Sequence, residues 1–440
     1  MSDGEGTLPG MVEAASDDIF EDRGLLKTSR IVDHDRIVGR DEQIKKTIKI
    51  FTPLKSGDSP PNLLVYGPSG TGKSLILNRV GQEFGNVLRK NGQRLGILNI
   101  NCQWIKTNHQ AAVALAENLE SKEGIDPIRT TGKSTNDVLT AIFSVMKENF
   151  DASLIMIDEI DTLVDPSHGS SEVKAFSSLI YQLSRSEELA GLENVCVIAI
   201  TNSPDFMKGL DSRAESSFNP RSIAFGDYTA NQLREILNKR RDAFVGGVLE
   251  EGVIPLAAAH AASDHGDARK AVDLFRSAGT IAFQEDTDTV TESHVRQGRE
   301  EVERDKLLET VNQYNSAKRT VLLSLAMVEI WSDQGPDNIP NPVLEHVYEY
   351  VCELLGTDVK SDNTVHRYTT AFETHGILDS DLTGRGRNKG MYKQYRLNRD
   401  AGLLVETIME NDKSLEELFD DRELISATAT EKLKKFNSKK

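Results

Sequence analysis

The octapeptide GPSGTGKS, Gly67 to Ser74, directly follows the apolar run LLVY and precedes SLILNRVGQEF, whose apolar residues are spaced as in a helix. Strand, glycine-rich loop and helix in that order match the pattern GxxxxGK[ST], a phosphate cradle in which backbone N–H groups converge at a helix N-terminus. Gly67, Gly70 and Gly72 allow the loop to turn its amides inward, Lys73 reaches the outer phosphates, and Ser74 offers a hydroxyl to Mg²⁺. Pro68, Ser69, Thr71 and Leu75 complete the expected nucleotide-contacting loop. ATP or ADP with Mg²⁺ is therefore the expected cofactor set.

Such a loop needs a parallel sheet behind it. LLVYG (63–67), ILNIN (97–101), SLIMIDE (153–159) and VCVIAITN (195–202) are apolar runs of strand length, separated by stretches long enough for helices. Unbroken apolar strands of this kind are buried on both faces, so the expected fold is α/β with a parallel sheet. Two acids, Asp158 and Glu159, end the third run, at the carboxyl edge where open α/β sheets bind ligands. Asp158 is the expected metal carboxylate and Glu159 the general base for an attacking water. Asn202 ends the fourth run and is placed to bond a γ-phosphate oxygen and that water. Asp161 reads as a helix cap or a solvated acid.

The remainder divides by composition. Residues 1–22 hold seven carboxylates and no Lys or Arg, and show no periodicity, so 1–30 reads as an acidic disordered arm. Residues 31–227 carry the nucleotide-binding domain. From Tyr228 to about 314 the pattern is helical, as expected of a lid. Residues 315–400 parse as three helices and a hairpin, a winged-helix form of helix-turn-helix. Residues 401–440 read as a charged tail. In the third helix Asn363 or Thr364 would act as the cap. Val365, Tyr368, Phe372 and Leu378 would pack, leaving Arg367 and Thr369 for duplex DNA. The hairpin adds Arg385, Arg387, Lys389 and Lys393 among glycines, suited to phosphates or the minor groove.

The formal charge is −17, which argues against a nonspecifically basic nucleic-acid binder. Residues 384–399 nevertheless hold six bases and no acid. An acidic excess of this size marks either a surface built for salty cytoplasm or an acidic mesophile. Three widely spaced cysteines exclude a disulfide framework or zinc site. No apolar stretch reaches membrane-span length and the N-terminus lacks a signal peptide, so a cytoplasmic, nucleoid-associated protein is expected.

The ordered set of phosphate loop, DE strand and polar strand end resembles AAA+ ATPases. IVGRDEQI (37–44), LDSRAESSF (210–218), FGDYTANQLREILNKRRDAF (225–244) and GDARKAVDLFRSAGTIA (266–282) narrow it. With the C-terminal hairpin they are similar to the archaeal replication initiator family, relatives of the large origin recognition subunit and of the cell division control helicase loader. The resemblance covers about Ile31 to Arg399. It implies that Arg213 is an arginine finger acting on a neighbouring subunit, although Ser212 stands where the family usually has proline. It further implies that Arg269 is a second sensor, that Val38, Tyr228 and Arg240 line the nucleotide, and that 108–135 is an insertion touching DNA. The implied partners are double-stranded origin DNA, the replicative helicase and other initiator subunits. Two other functions share parts of this architecture. A signalling or transcription-regulating ATPase would need a sensor domain, and a clamp loader or recombination motor would leave the basic winged domain without a role.

Overall fold

The computed structural model describes residues 18–28, 32–122, 124–163, 175–333, 338–384, 391–412, 414–415, 418 and 420–438. The chain divides into two compact units, 1–298 and 299–440.

In the first unit, helix α1 (Asp41–Phe51) leads into strand β1 (Leu63–Tyr66), and the phosphate loop feeds α2 (Lys73–Lys90). There follow β2 (Leu95–Asn101), α3 (Asn108–Glu120), α4 (Thr135–Asn149), β3 (Ala152–Asp158), α5 (Ala175–Leu183), α6 (Ser186–Ala190), β4 (Val195–Thr201), α7 (Ser212–Phe218) and β5 (Arg221–Ala224). The sheet order is β2-β3-β4-β1-β5, every pair parallel. β3 and β4 are buried along nearly their whole length, as their apolar runs require, and β1 sits between β4 and β5 with the phosphate loop at its carboxyl end. The fifth strand, RSIA, buries only Ile223, so no apolar run announces it. α3 buries Ala111, Ala112, Leu115, Ala116 and Leu119. It is thus a core helix; in the rest of the expected insertion Ile125 and Ile128 pack against the same core, while Asp126, Arg129 and Lys133 are exposed.

The lid comprises α8 (Ala230–Asn238), α9 (Val253–Ser263), α10 (Ala268–Gln284) and the start of α11 (Glu292–Asn312). It also holds part of the segment read as a disordered arm. Ile19, Phe20 and Leu26 are buried in the lid core, the Glu21 amide donates to the Ala243 carbonyl at 2.9 Å, and the Phe20 ring packs tilted against Phe244 with centroids 4.8 Å apart. Asp22 caps a short 3-10 turn over Arg23–Leu26, and the Arg23 guanidinium lies 4.2 Å from the Phe20 ring. The acidic composition of 1–30 concealed this apolar anchor.

The second unit begins within α11, earlier than residue 315, because Leu307 and Val311 already belong to its core. It contains α12 (Ser316–Trp331), β6 (Ile339–Pro340), α13 (Asn341–Leu354), α14 (Asp362–Thr374), β7 (Leu378–Gly384) and β8 (Met391–Leu397). The antiparallel sheet runs β6-β8-β7. Two further helices, α15 (Ala401–Asn411) and α16 (Arg422–Asn437), pack into the same core through Leu404, Val405, Ile408, Met409, Ile425, Ala429 and Leu433. α15 and α16 are therefore part of the folded unit where a charged tail was expected. Their charged residues mask an apolar stripe at helical spacing.

Candidate functional site: a nucleotide cleft and a winged helix

The cleft forms where β1, β3 and β4 end beside the lid. Its walls include Val38, Ser69 to Leu75, Asp158, Glu159, Asn202, Tyr228, Arg240 and Arg269, around about 1160 Å³ of space with the open mouth included. One fold thus brings together residues spread over some 230 positions of sequence, as expected of a parallel sheet that collects its strand ends at one edge.

Gly67 has φ +147 and Gly70 φ +69, conformations that favour glycine. A Cβ on Gly67 would meet the Phe225 carbonyl oxygen at 2.0 Å, and one on Gly70 would meet Asp267 Oδ1 at 1.7 Å. Asp267 is the cap of α10: its Oδ1 accepts from the amides of Arg269 at 2.7 Å and Lys270 at 3.3 Å, while the Ala268 amide donates to the Gly70 carbonyl at 3.2 Å. The lid thus rests directly on the phosphate loop.

Lys73 is buried, its Nζ donating to the carbonyls of Gly67 at 2.6 Å and Pro68 at 2.7 Å and to Asn202 Oδ1 at 2.9 Å. Burial pushes its ammonium below the ordinary lysine value, partly offset by Asp158. The Ser74 hydroxyl donates to Asp158 Oδ2, and the Glu159 amide donates to Asp158 Oδ1 at 3.0 Å. Hydroxyl and carboxylate oxygens side by side are a donor set that suits a hard cation such as Mg²⁺. Glu159 has φ +52, a left-handed conformation that turns it away from the strand direction. Burial first, then the neighbouring Asp158, raises its carboxyl above the usual range. Asp161 is half-buried, and its Oδ1 has no hydrogen-bond partner among the described residues.

Tyr228 is buried against the loop, and Arg240 is half-buried, with its NH1 on the Ile236 carbonyl at 3.3 Å and its Nε buried without a hydrogen-bond partner. Burial, and then Arg36, pull the Arg240 guanidinium below its ordinary value. Arg36 also lines the cleft, tied to Asp242 at 2.5 Å. Arg213 lies elsewhere. It stands on α7 with its side chain 76% exposed, 3.6 Å from Asp211, and is not among the residues lining the cleft.

Arg40 is the residue that sequence reasoning missed. Only 4% exposed, it donates from Nε to the Thr71 carbonyl at 2.9 Å and from NH2 to the Gly226 carbonyl at 2.7 Å, and its guanidinium lies 3.7 Å from the centre of the Tyr228 ring. A signal was available: a cation immediately before a helix N-terminus opposes the helix dipole and needs another reason to be there.

In the winged unit, α14 presents an exposed Arg367 whose guanidinium is 5.8 Å from the Tyr368 ring. Thr369 is corrected: it is 1% exposed, its hydroxyl donating to the His366 carbonyl at 3.0 Å and lying 3.5 Å from the Tyr395 hydroxyl, so it is closed to DNA. The helix cap is also corrected, since α14 starts after Ser361, whose hydroxyl is 3.1 Å from that of Thr364. Lys393 sits on β8 opposite Leu382 and is partly exposed. Arg385, Arg387 and Lys389 lie outside the described residues.

Comparison with known proteins adds to this geometry. Residues 63–222 match the ATPase family associated with various cellular activities, 234–300 the Cdc6 AAA+ ATPase-type lid domain, and 309–407 the CDC6 C-terminal winged helix domain. The chain is 38% identical to "ORC1-type DNA replication protein 5" of Halobacterium salinarum, over 95% of this chain and 97% of the relative. It is 39% identical to "ORC1-type DNA replication protein 14" of Haloarcula marismortui, over 92% and 94%. The Aeropyrum pernix ORC1 protein, solved in complex with DNA, superposes with a TM-score of 0.73 at 29% identity, covering 92% of this chain and 100% of that one.

Proposed function

The chain belongs to the family of ORC1-type DNA replication proteins and is an origin-binding replication initiator; from that premise we propose that ATP serves it mainly as a conformational ligand, hydrolysed slowly, that sets its hold on origin DNA. The observation that carries this reading is the seat of the lid on the phosphate loop, Ala268 on Gly70 with Asp267 packed above it. A lid fixed to the loop by its own helix cap moves with whatever fills that loop.

Lys73 and the two lid arginines, Arg240 and Arg269, bind and orient the phosphates. Ser74 and Asp158 would hold Mg²⁺, which supplies charge neutralisation at the outer phosphates when bound. Glu159 accepts the proton of the attacking water, oriented by Asn202. Arg213, exposed and outside its own cleft, completes the site of a neighbouring initiator subunit. On the winged unit, Arg367 on α14 reads base edges, while Lys393 and the hairpin arginines grip backbone or minor groove. An initiator of this kind would help to recruit the replicative helicase. No helix among the described residues is long and apolar enough to cross a membrane. The relatives do not favour the signalling reading.

Footprinting on genomic DNA with ATP and with ADP tests the proposal. Protection should fall at a few inverted-repeat sites and change in extent between the two nucleotides. Uniform coverage, or the same footprint with either nucleotide, would overturn it.

A further inference from the structure

The two faces of the β7–β8 ribbon are unlike. Side chains alternate along each strand, and directly opposed residues of an antiparallel pair share a face. The register sets Ser380 against Tyr395, Leu382 against Lys393 and Gly384 against Met391, so Leu378, Leu382, Met391, Lys393 and Tyr395 fall on one side. At its root this side is core: Leu378 and Tyr395 are buried, and the Ser380 hydroxyl donates to Glu373 Oε1 of α14 at 2.9 Å. Farther out the same side leaves the core and stays apolar. Leu382 is 65% exposed and Met391 69%, and the two are diagonal neighbours across the strands, within reach of each other.

The other side carries the polar groups. Asp379, Asp381, Thr383 and Gln394 lie there, with Asp379 held by Arg396 at 3.1 Å and the Thr383 hydroxyl donating to Gln394 Oε1 at 3.0 Å. β7 is an edge strand, on which exposed apolar side chains invite unwanted pairing and are ordinarily replaced by charge. An apolar pair kept at such a place needs a partner, and its neighbours define the partner's chemistry. Both acids of β7 are on the opposite side, Lys393 stands across from Leu382, and residues 384–399 hold six bases and no acid in a chain of charge −17. Leucine and methionine set among cations and kept apart from carboxylates suit a polyanion with an apolar inner surface. Duplex DNA presents that combination in its minor groove, between phosphates and above sugars and base edges. The Ser380–Glu373 bond makes the surface continuous with α14, which carries Arg367.

We propose that Leu382 and Met391 form an apolar wedge that enters the minor groove of origin DNA and supplies the part of the affinity that salt does not remove. The inference rests on the reading of this unit as the one that grips DNA. Lysine and arginine on phosphates release counterions, so their contribution falls as salt rises. Burial of two apolar side chains releases water and no counterion, and it leaves the salt slope untouched.

Anisotropy titration of the full chain with a labelled duplex carrying a footprinted site, in dilute and in molar KCl, tests this. Leu382→Ser with Met391→Ser replaces two exposed side chains and should weaken binding by about tenfold or more at both salts with an unchanged slope, whereas Lys393→Ala should reduce the slope by about one. Met391→Leu should bind as the parent does. Equal affinity of the parent and the double serine variant would overturn the wedge while leaving the DNA reading in place, and so would a loss that appears in dilute salt alone. Absence of binding by the parent would remove the reading and the wedge together. A second measurement needs no substitution: saturating duplex in molar KCl should slow peroxide oxidation of Met391 severalfold, read by mass spectrometry against the buried Met146, Met156 and Met327. An oxidation rate at Met391 that is the same with and without duplex would refute the proposal.

Discussion

Replacing Arg40 by methionine removes a buried clamp without a large change in volume. Two hydrogen bonds from a charged donor, to Thr71 and Gly226, are lost together with the guanidinium–ring contact on Tyr228. Bonds of that kind contribute about 1.5–3 kcal/mol each, and the ring contact about 1 kcal/mol. Against this stands the desolvation of a guanidinium, several kcal/mol, which methionine no longer incurs. The balance is a net loss of about 2–4 kcal/mol, or about 30- to 700-fold at tenfold per 1.4 kcal/mol. Most of that loss should appear in nucleotide affinity, because the three partners are the phosphate loop, the end of β5 and the tyrosine that starts the lid. Fluorescent ATP titration with a melting curve alongside would read both parts. Arg40→Lys should recover only part, since one ammonium does not reach two carbonyls on different elements in the guanidinium's geometry. If Arg40→Met leaves both the ATP dissociation constant and the melting temperature at parental values, the clamp has no energetic role and the reasoning fails.

Lys73→Ala should abolish tight ATP binding, whereas Glu159→Gln should keep binding and stop hydrolysis; single-turnover hydrolysis at the parental rate in Glu159→Gln would remove it as the base. Arg213→Ala should leave ATP binding by a dilute monomer unchanged and weaken nucleotide-dependent assembly, measured by analytical ultracentrifugation; loss of monomer affinity would place it in its own cleft. A binder that relies on many phosphate contacts loses about three to five decades of affinity between 50 and 200 mM salt. For this chain, with charge −17, origin binding should instead persist into molar KCl on a shallow slope, and a steep loss in an anisotropy titration would mark an acidic mesophilic protein.

What was legible in the sequence were features whose meaning is local. The phosphate loop, the DE pair and Asn202 each sit at the end of a recognisable apolar run, and a parallel sheet does the gathering. Arg40's place before a helix N-terminus marked it as unusual, but its partners were not legible, because they lie 31 and 186 residues away and no spacing along the chain brings them together. Thr369 was misplaced by one face of its helix. It follows Val365 by four residues, on the packed side, and the wing tyrosine Tyr395, 26 residues on, closes over its hydroxyl. At both ends of the chain composition misled. Ile19, Phe20 and Leu26 sit among acids, and Leu404, Val405, Ile408 and Met409 are followed by charged residues, yet each set supplies core. Average charge over a segment says how it meets water, whereas a few apolar residues at the right spacing decide whether it packs.

The same separation of surface from core bears on the proposal that nucleotide sets the position of the lid. Lys73 comes from the phosphate loop, Arg36 precedes the first helix, and Arg240 and Arg269 come from the lid, so four cations line one cleft. Two of them are pulled below their ordinary values: burial lowers both first, Arg36 then lowers Arg240 further, and at Lys73 Asp158 opposes the burial more than Arg269 adds to it. Asp158 and Glu159 offset this on the loop side and Asp242 neutralises Arg36, which leaves Arg240 and Arg269 as the less compensated pair. Like charges gathered in a partly dry cleft oppose closure, because each must be desolvated against the repulsion of the others. A polyphosphate reverses that balance: it brings several negative charges to the point where loop and lid cations meet and supplies acceptors for a donor such as Arg240 Nε. Triphosphate and diphosphate differ in charge at the outer end, which the proposed roles of Arg269 and Asn202 place beside those two residues. On the proposed mechanism, shortening the nucleotide by one phosphate would weaken the attraction between loop and lid cations, and hydrolysis at Glu159 would time that change.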